Sequence, residues 1–172
     1  MRVKIYGWGV VAVLALVALL SACGSVSPAA STTDPKSTPT VAPSLDVDAC
    51  ALVTAQEMSK IVGAAMTAQP KTLQNGDPAC NFKPTNGALQ PSVLLGVHKD
   101  GQNYYSSAQS LYKGTPGYKE VSGVGDQAFD SGDGTFYTLK GDTCVDVVII
   151  QNPDARSAQL KQIAALAVGR LP

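Results

Sequence analysis

Thr135-Phe-Tyr-Thr-Leu139, Lys140-Gly-Asp142 and Cys144-Val-Asp-Val-Val-Ile-Ile150 decide the fold. The last of these runs is rich in β-branched residues and is the most strand-prone stretch of the chain. Lys140-Gly-Asp142 has the chemistry of a tight turn, so the two runs read as a hairpin and the sheet is antiparallel there. Working upstream, Ser131-Gly-Asp-Gly134 separates Thr135–Leu139 from another short strand, Gln127–Asp130, and Tyr118–Val121 suits a further one. Ser92–His98 reads as a strand with Val93, Leu95 and Val97 on one face and Leu94, Gly96 and His98 on the other. Ala79–Lys83 is a short strand, tied to Ser92–His98 by a hairpin connection over Pro84–Gln90. Residues 69–79 read as a loop around Asn75-Gly76-Asp77-Pro78.

Three helices complete the pattern. Thr54 and Glu57 form a capping box, Met58, Ile61, Val62 and Ala65 share a face, and Gly63 suits the end. Asn103 caps a second helix running to Tyr112, stopped by Gly114-Thr-Pro-Gly117. A third begins near Asp154, with Leu160, Ile163, Ala164 and Ala167 as its buried stripe. Together these elements predict an α+β two-layer domain over residues 46–172, an antiparallel sheet packed by helices on one face.

The chain has 172 residues, 45% hydrophobic and 15% charged, with zero formal net charge. Arg2 and Lys4 are two of its 13 basic residues, so residues 23–172 hold 11 basic against 13 acidic ones, a net of −2. No basic patch stands out, which argues against nucleic acid as a partner.

The N-terminus has its own logic. Arg2 and Lys4 precede Val10–Leu20, an apolar run too short for the ~20 residues that span a bilayer and suited to a signal-peptide core. Leu20-Ser21-Ala22-Cys23 then resembles the bacterial lipobox, an aliphatic residue and two small ones before cysteine. That resemblance implies a signal peptide over residues 1–22 and palmitate or similar acyl chains on Cys23. A chain buried at ~0.8 kcal/mol per CH₂ binds marginally alone, whereas two or more hold firmly. The expected location is the extracytoplasmic face of a cell membrane. Residues 24–45, rich in Ser, Thr, Pro and Ala, lack the apolar area to offset ordering entropy and read, with Cys23, as a disordered linker. As a coil it reaches roughly 25 Å. Its Ser/Thr/Pro content also permits O-glycosylation.

Within residues 46–172, four segments resemble a known family: Asp48-Ala-Cys50-Ala-Leu-Val-Thr54, Cys80-Asn-Phe82, Val121-Ser-Gly-Val-Gly-Asp-Gln-Ala-Phe129 and Ile163-Ala-Ala-Leu-Ala167. They are similar to the actinobacterial lipoproteins of domain-of-unknown-function family 3558. Many of those carry a further cysteine at the start of the last helix, where this chain has Ala155. The family has no established general activity, so the resemblance implies class and place rather than a reaction.

Cys50, Cys80 and Cys144 remain once Cys23 is assigned to lipid. Outside the cytoplasm thiols oxidise, and an odd count allows one internal bridge. Cys50–Cys80 would staple the entrance of the first helix to the first strand. Cys80–Cys144, joining two strands, is the alternative. The third thiol then reads as a small buried hydrophobe.

No pattern names a reaction, cofactor or metal. His98 is the only histidine, and any Ser-His-Asp or Cys-His relay must use it. Followed by Lys99-Asp100-Gly101, it reads as a surface residue at a strand end. Gly123-Val-Gly-Asp126 lacks the third glycine of a phosphate loop and reads as a turn, with Gly125 and Asp126 as secondary candidates for ligand contact. Asp130, Asp133 and Asp142 lack the spacing of a calcium loop and read as hairpin turns. Tyr104 is a third candidate contact, with Tyr105 and Tyr112 as helix-packing aromatics. The expected function is non-enzymatic, binding a small ligand or an envelope protein. An enzyme pairing His98 with a carboxylate such as Asp100, or a purely structural envelope protein, are the alternatives.

Overall fold

A computed structural model describes residues 46–150 and 156–172. The expected signal peptide, Cys23 and the expected linker lie outside the described residues, as does the expected helix start near Asp154.

The described chain forms an α+β domain around a seven-stranded antiparallel sheet in the order β1-β2-β3-β7-β6-β5-β4. The strands are β1 (Met66–Thr72), β2 (Pro78–Pro84), β3 (Ser92–His98), β4 (Lys119–Glu120), β5 (Gln127–Asp130), β6 (Thr135–Lys140) and β7 (Thr143–Ile150). Two meanders, β1–β3 and β4–β7, are joined where β3 pairs with β7 over Ser92–His98 and Cys144–Ile150. The hairpin read from residues 135–150 is thus the centre of the sheet, with Lys140 opposite Thr143.

Four helices surround the sheet: α1 (Ala49–Leu52), α2 (Ala55–Val62), α3 (Gly101–Tyr112) and α4 (Arg156–Gly169). The segment before Thr54 is a separate one-turn helix, because Asp48 accepts from the Cys50 N–H and caps it. Thr54 and Glu57 form the capping box, and Gly63 closes α2 at φ 74°. Ala65, read as part of the α2 stripe, falls beyond the helix end and is exposed.

The sheet has two packed faces. On one, Phe82, Val93, Leu95, Val97, Phe136, Val145, Val147 and Ile149 meet Leu52 of α1, Met58 of α2, and Leu160, Ile163, Ala164 and Ala167 of α4. Helices were expected on one face of the sheet, and α1, α2 and α4 share this one. On the other, Phe129, Tyr137, Leu139 and Cys144 meet Tyr105, Ala108 and Tyr112 of α3. Helix α3 lies over β7 and β6 on that second face, where Tyr105 and Tyr112 reach Phe129 of β5. The alternation of β3 supplies one apolar and one mixed face, and the mixed face, with Gly96 and His98, lies on the α3 side.

Strand β1 was read as loop over much of its length. It is an edge strand, exposed along most of its residues, so it lacks the apolar alternation that marks a half-buried one. Pro70 within it also lacks the N–H that a ladder uses. The bonds Thr85 N–H to Ala65 O and Leu73 N–H to Asp77 O put odd-numbered residues of β1 in the hydrogen-bonded pairs. Pro70 therefore turns its missing N–H to the free edge, where a sheet tolerates proline.

The Cys50–Cys80 disulfide ties α1 to β2, and Cys144 is a free, buried thiol.

Candidate functional site

The most unusual polar arrangement centres on His98. The residue ends β3 as read, but it is buried, not on the surface: 2% of it is exposed. Its Nδ1 lies 3.0 Å from Asp77 Oδ2 and its Nε2 lies 2.9 Å from Asp146 Oδ1. The tyrosine ring of Tyr104 stacks on the imidazole, centroids 3.4 Å apart and 13° from parallel. Both carboxylates are buried as well, Asp77 at 6% and Asp146 at 7% exposure.

Each element delivers its group for a local reason. Asp146 sits in β7 opposite Gly96, two residues before His98 on the same face of β3. A Cβ at position 96 would fall on Asp146 Oδ1. Glycine there leaves the lane through which the carboxylate crosses the strand to reach the ring. Asp77 comes from the β1–β2 turn. Its N–H donates to Asn75 Oδ1 at 3.1 Å, its carbonyl accepts from the Leu73 N–H, and Asn75 Nδ2 donates to Asp77 Oδ2 at 2.6 Å. The turn signal Asn75-Gly76-Asp77-Pro78 thus does two things: it reverses the chain, and it aims a carboxylate at the sheet.

Each of the two nitrogen–oxygen contacts needs a proton. Among the described residues no lysine or arginine pairs with Asp77 or Asp146. Buried polar groups are stable when hydrogen-bonded, and all three groups here are. Next to the cluster lies an open cleft of about 290 Å³ lined by Asn75, Asp77, His98, Asp100, Asn103 and Tyr104.

This geometry differs from a nucleophilic relay. There, one ring nitrogen faces an orienting carboxylate and the other takes a proton from a hydroxyl or thiol. Here both nitrogens face carboxylates. Asp100, the expected partner of His98, instead occupies the N-cap position of α3 and accepts twice from Asn103 Nδ2, at 2.9 Å each. Asn103, read as the cap, therefore lies within the first turn. Among the described residues no group of three or more His, Cys, Asp or Glu is placed to hold a metal ion.

Of the candidate contacts, only Tyr104 belongs to this site. Burial, then the nearby Asp146 and Cys144, pushes its hydroxyl well above the ordinary range. Gly125 and Asp126 lie elsewhere, beside the β6–β7 turn. Gly125 adopts φ 61°, and a Cβ there would strike the Leu139 carbonyl. Asp126 donates its N–H to Leu139 O at 2.7 Å and accepts from the Gly141 N–H, also at 2.7 Å. That fixes the turn of the central hairpin. Asp133 likewise accepts from Ser131 Oγ and the Thr135 N–H within its own loop. Tyr105 and Tyr112 pack on Phe129.

Two signals for the His98 cluster stand in the sequence. One is the lone aspartate, Asp146, inside the most apolar strand; the other is a glycine two residues before the only histidine. Neither gives the pairing, because Asp77 and Asp146 lie 21 and 48 residues away in the chain.

No protein-family model, no curated protein and no solved structure matches this chain.

Proposed function

We propose that this is a membrane-anchored extracytoplasmic lipoprotein of the kind the family 3558 resemblance implies, acting by binding a partner protein rather than by catalysis. The observation that carries the non-catalytic reading is the occupation of both ring nitrogens of the only histidine by buried carboxylates. A histidine held this way has no free nitrogen to act as a base. The Cys50–Cys80 disulfide supports placement outside the cytoplasm, since such bonds persist in oxidising compartments. Arg2, Lys4, the Val10–Leu20 run and Leu20-Ser21-Ala22-Cys23 support export and lipidation. The best-formed clefts among the described residues hold about 280 to 380 Å³ and are open. That is the low end for small-molecule sites, which favours a protein partner over an enclosed ligand.

The test is intact mass and cross-linking on the full chain produced in a bacterial envelope. The expected product begins at Cys23, carries acyl chains, and cross-links to a discrete envelope protein. Cys23→Ala should release the chain from the membrane fraction. A mature mass without acyl chains would refute the anchor, and cross-linking no different from that of an unrelated lipoprotein would refute the partner.

A further inference from the structure

We infer that the cleft between α3 and strands β4 and β5 is a saccharide-binding site, in which the Tyr105 hydroxyl and the Glu120 and Asp126 carboxylates hold adjacent hydroxyls of a neutral sugar ring. The inference is independent of the anchor, of the protein partner and of the His98 cluster.

The cleft holds about 380 Å³ and is open to solvent. Tyr105 and Gln109 stand one turn apart on α3 and share a face. Glu120 pairs with Phe129, and Gln127 lies two residues before Phe129, so both belong to the sheet face that α3 covers. The Tyr105 ring packs edge-on against Phe129, centroids 5.2 Å apart, and only 3% of the residue is exposed. Its hydroxyl has no hydrogen-bond partner among the described residues, whereas every polar side-chain atom shut from solvent in the buried residues there has one. The small exposure of Tyr105 therefore includes its hydroxyl oxygen, and this cleft is the one it lines. A polar group so deeply buried is rarely left without a partner, and the cleft is the side from which one can come.

The other groups of the cleft set the class of occupant. Glu120 Oε1 accepts from the Tyr118 hydroxyl at 3.4 Å, and Asp126 Oδ2 accepts from the Gly141 N–H at 2.7 Å. The second oxygen of each carboxylate is unengaged among the described residues, as is the Gln127 side-chain amide. Gln109 donates to Tyr118 Oη at 3.3 Å and keeps its carbonyl free there. No lysine or arginine lines the cleft, and Lys161 donates instead to the Ser122 carbonyl at 3.4 Å. That argues against an anionic ligand, which such cations ordinarily hold. An ammonium group only donates, so it would leave the Tyr105 O–H and the Gln127 N–H groups without acceptors. A sugar hydroxyl both donates and accepts. Adjacent ones can donate to the carboxylates while accepting from Tyr105 and the amide. Burial, then Tyr118, Cys144 and Glu120, holds the Tyr105 hydroxyl well above its ordinary range, so it stays a neutral donor. Its ring is packed on Phe129 and offers a sugar no stacking face. Binding is therefore weak, on the order of millimolar.

The test is a ¹H–¹⁵N titration of the full-length chain in micelles of a detergent without a sugar headgroup. The probes are glucose, mannose and galactose, which differ in which adjacent hydroxyls are cis. Putrescine and sulfate serve as ammonium and anion controls. At least one sugar should saturably shift the side-chain amides of Gln109 and Gln127, while that of Asn86, in the β2–β3 connection, stays unmoved. Tyr105→Phe deletes only the hydroxyl. It should weaken that sugar roughly three- to tenfold, the scale of one hydrogen bond. It should also leave the urea midpoint equal to or above the parent's, because the hydroxyl has no protein partner to lose. Glu120→Gln, an exposed change, should weaken the same sugar about tenfold, the scale of a charge-assisted bond. The inference is overturned if none of the three sugars shifts these amides, or if putrescine or sulfate saturates the site in their place. It is equally overturned by a Tyr105→Phe chain that binds sugar as the parent does, or whose urea midpoint falls.

Discussion

Gly96→Ala adds one methyl group to a buried strand, and the geometry around Asp146 sets its cost. The new Cβ would lie well inside the 3.0 Å below which such atoms essentially never approach a neighbour; Asp146 Cγ and His98 Nε2 would lie at 3.3 and 3.2 Å. To restore ordinary contact, the carboxylate must swing aside by more than the 2.9 Å bond to His98 tolerates. Removing one partner from a buried ion pair costs about 3–5 kcal/mol. Alanine recovers up to ~1 kcal/mol over glycine in a strand interior through lower chain entropy. The net expectation is a loss of about 2–4 kcal/mol, read as a shift of the urea midpoint at unchanged slope. The decisive comparison is a double-mutant cycle with Asp146→Ala. That change removes the atom the methyl group would strike, so Gly96→Ala in its background should be neutral or slightly stabilising. A coupling energy of about 2 kcal/mol or more is expected. Equal costs of Gly96→Ala in the two backgrounds would show that glycine is there for a reason other than the carboxylate's lane.

Three further outcomes follow from local geometry. Replacing both Cys50 and Cys80 by alanine opens a 30-residue loop and should cost about 3–4 kcal/mol in the chain-entropy model, with reductant shifting the parent's urea midpoint in the same direction. Arg170 donates to both carboxylate oxygens of Glu57, which holds that carboxyl far below its ordinary 4.5. Its contribution is present above 4.5 and lost as pH falls, so Arg170→Met should lower neutral-pH stability and flatten the acid side of the pH–stability curve. Burial, reinforced by Asp146, pushes the Cys144 thiol well above its ordinary value. The folded chain should therefore resist thiol reagents at neutral pH and react once denatured, whereas rapid labelling of the native protein would contradict the packing.

How legible each part was depends on whether its cause is local. The capping box of α2 is three residues long, the Leu160-to-Ala167 stripe repeats within one helix, and the central hairpin turns on Gly141 between two β-rich runs; all three are in the structure as read. Strand β1 was hidden because its evidence is not in its own residues. Met66–Thr72 is polar and carries a proline, and it is a strand because β2 offers a ladder whose outer edge tolerates that proline. Helix α3 shows a related limit. Its aromatic residues were legible as packing groups, but which face of the sheet they cover follows from the path between β3 and β4.

His98 marks where local reading fails outright. Its neighbours Lys99, Asp100 and Gly101 are those of an exposed strand end, and Asp100 is the carboxylate nearest in sequence. Yet a strand end is exposed only if nothing lies across it. Here the β1–β2 turn brings Asp77 to one side of the ring, α3 lays Tyr104 over its face, and the β3–β7 register brings Asp146 to the other side. Each contributor has a respectable local explanation: turn former, helix aromatic, and a polar residue on the less apolar face of a strand. The cluster exists only in their superposition. Of its parts, Gly96 is the one that had no local purpose, since a glycine in mid-strand weakens the strand unless something needs the space. A residue that costs stability where it stands points to what lies across from it, and here that is the carboxylate on the only histidine.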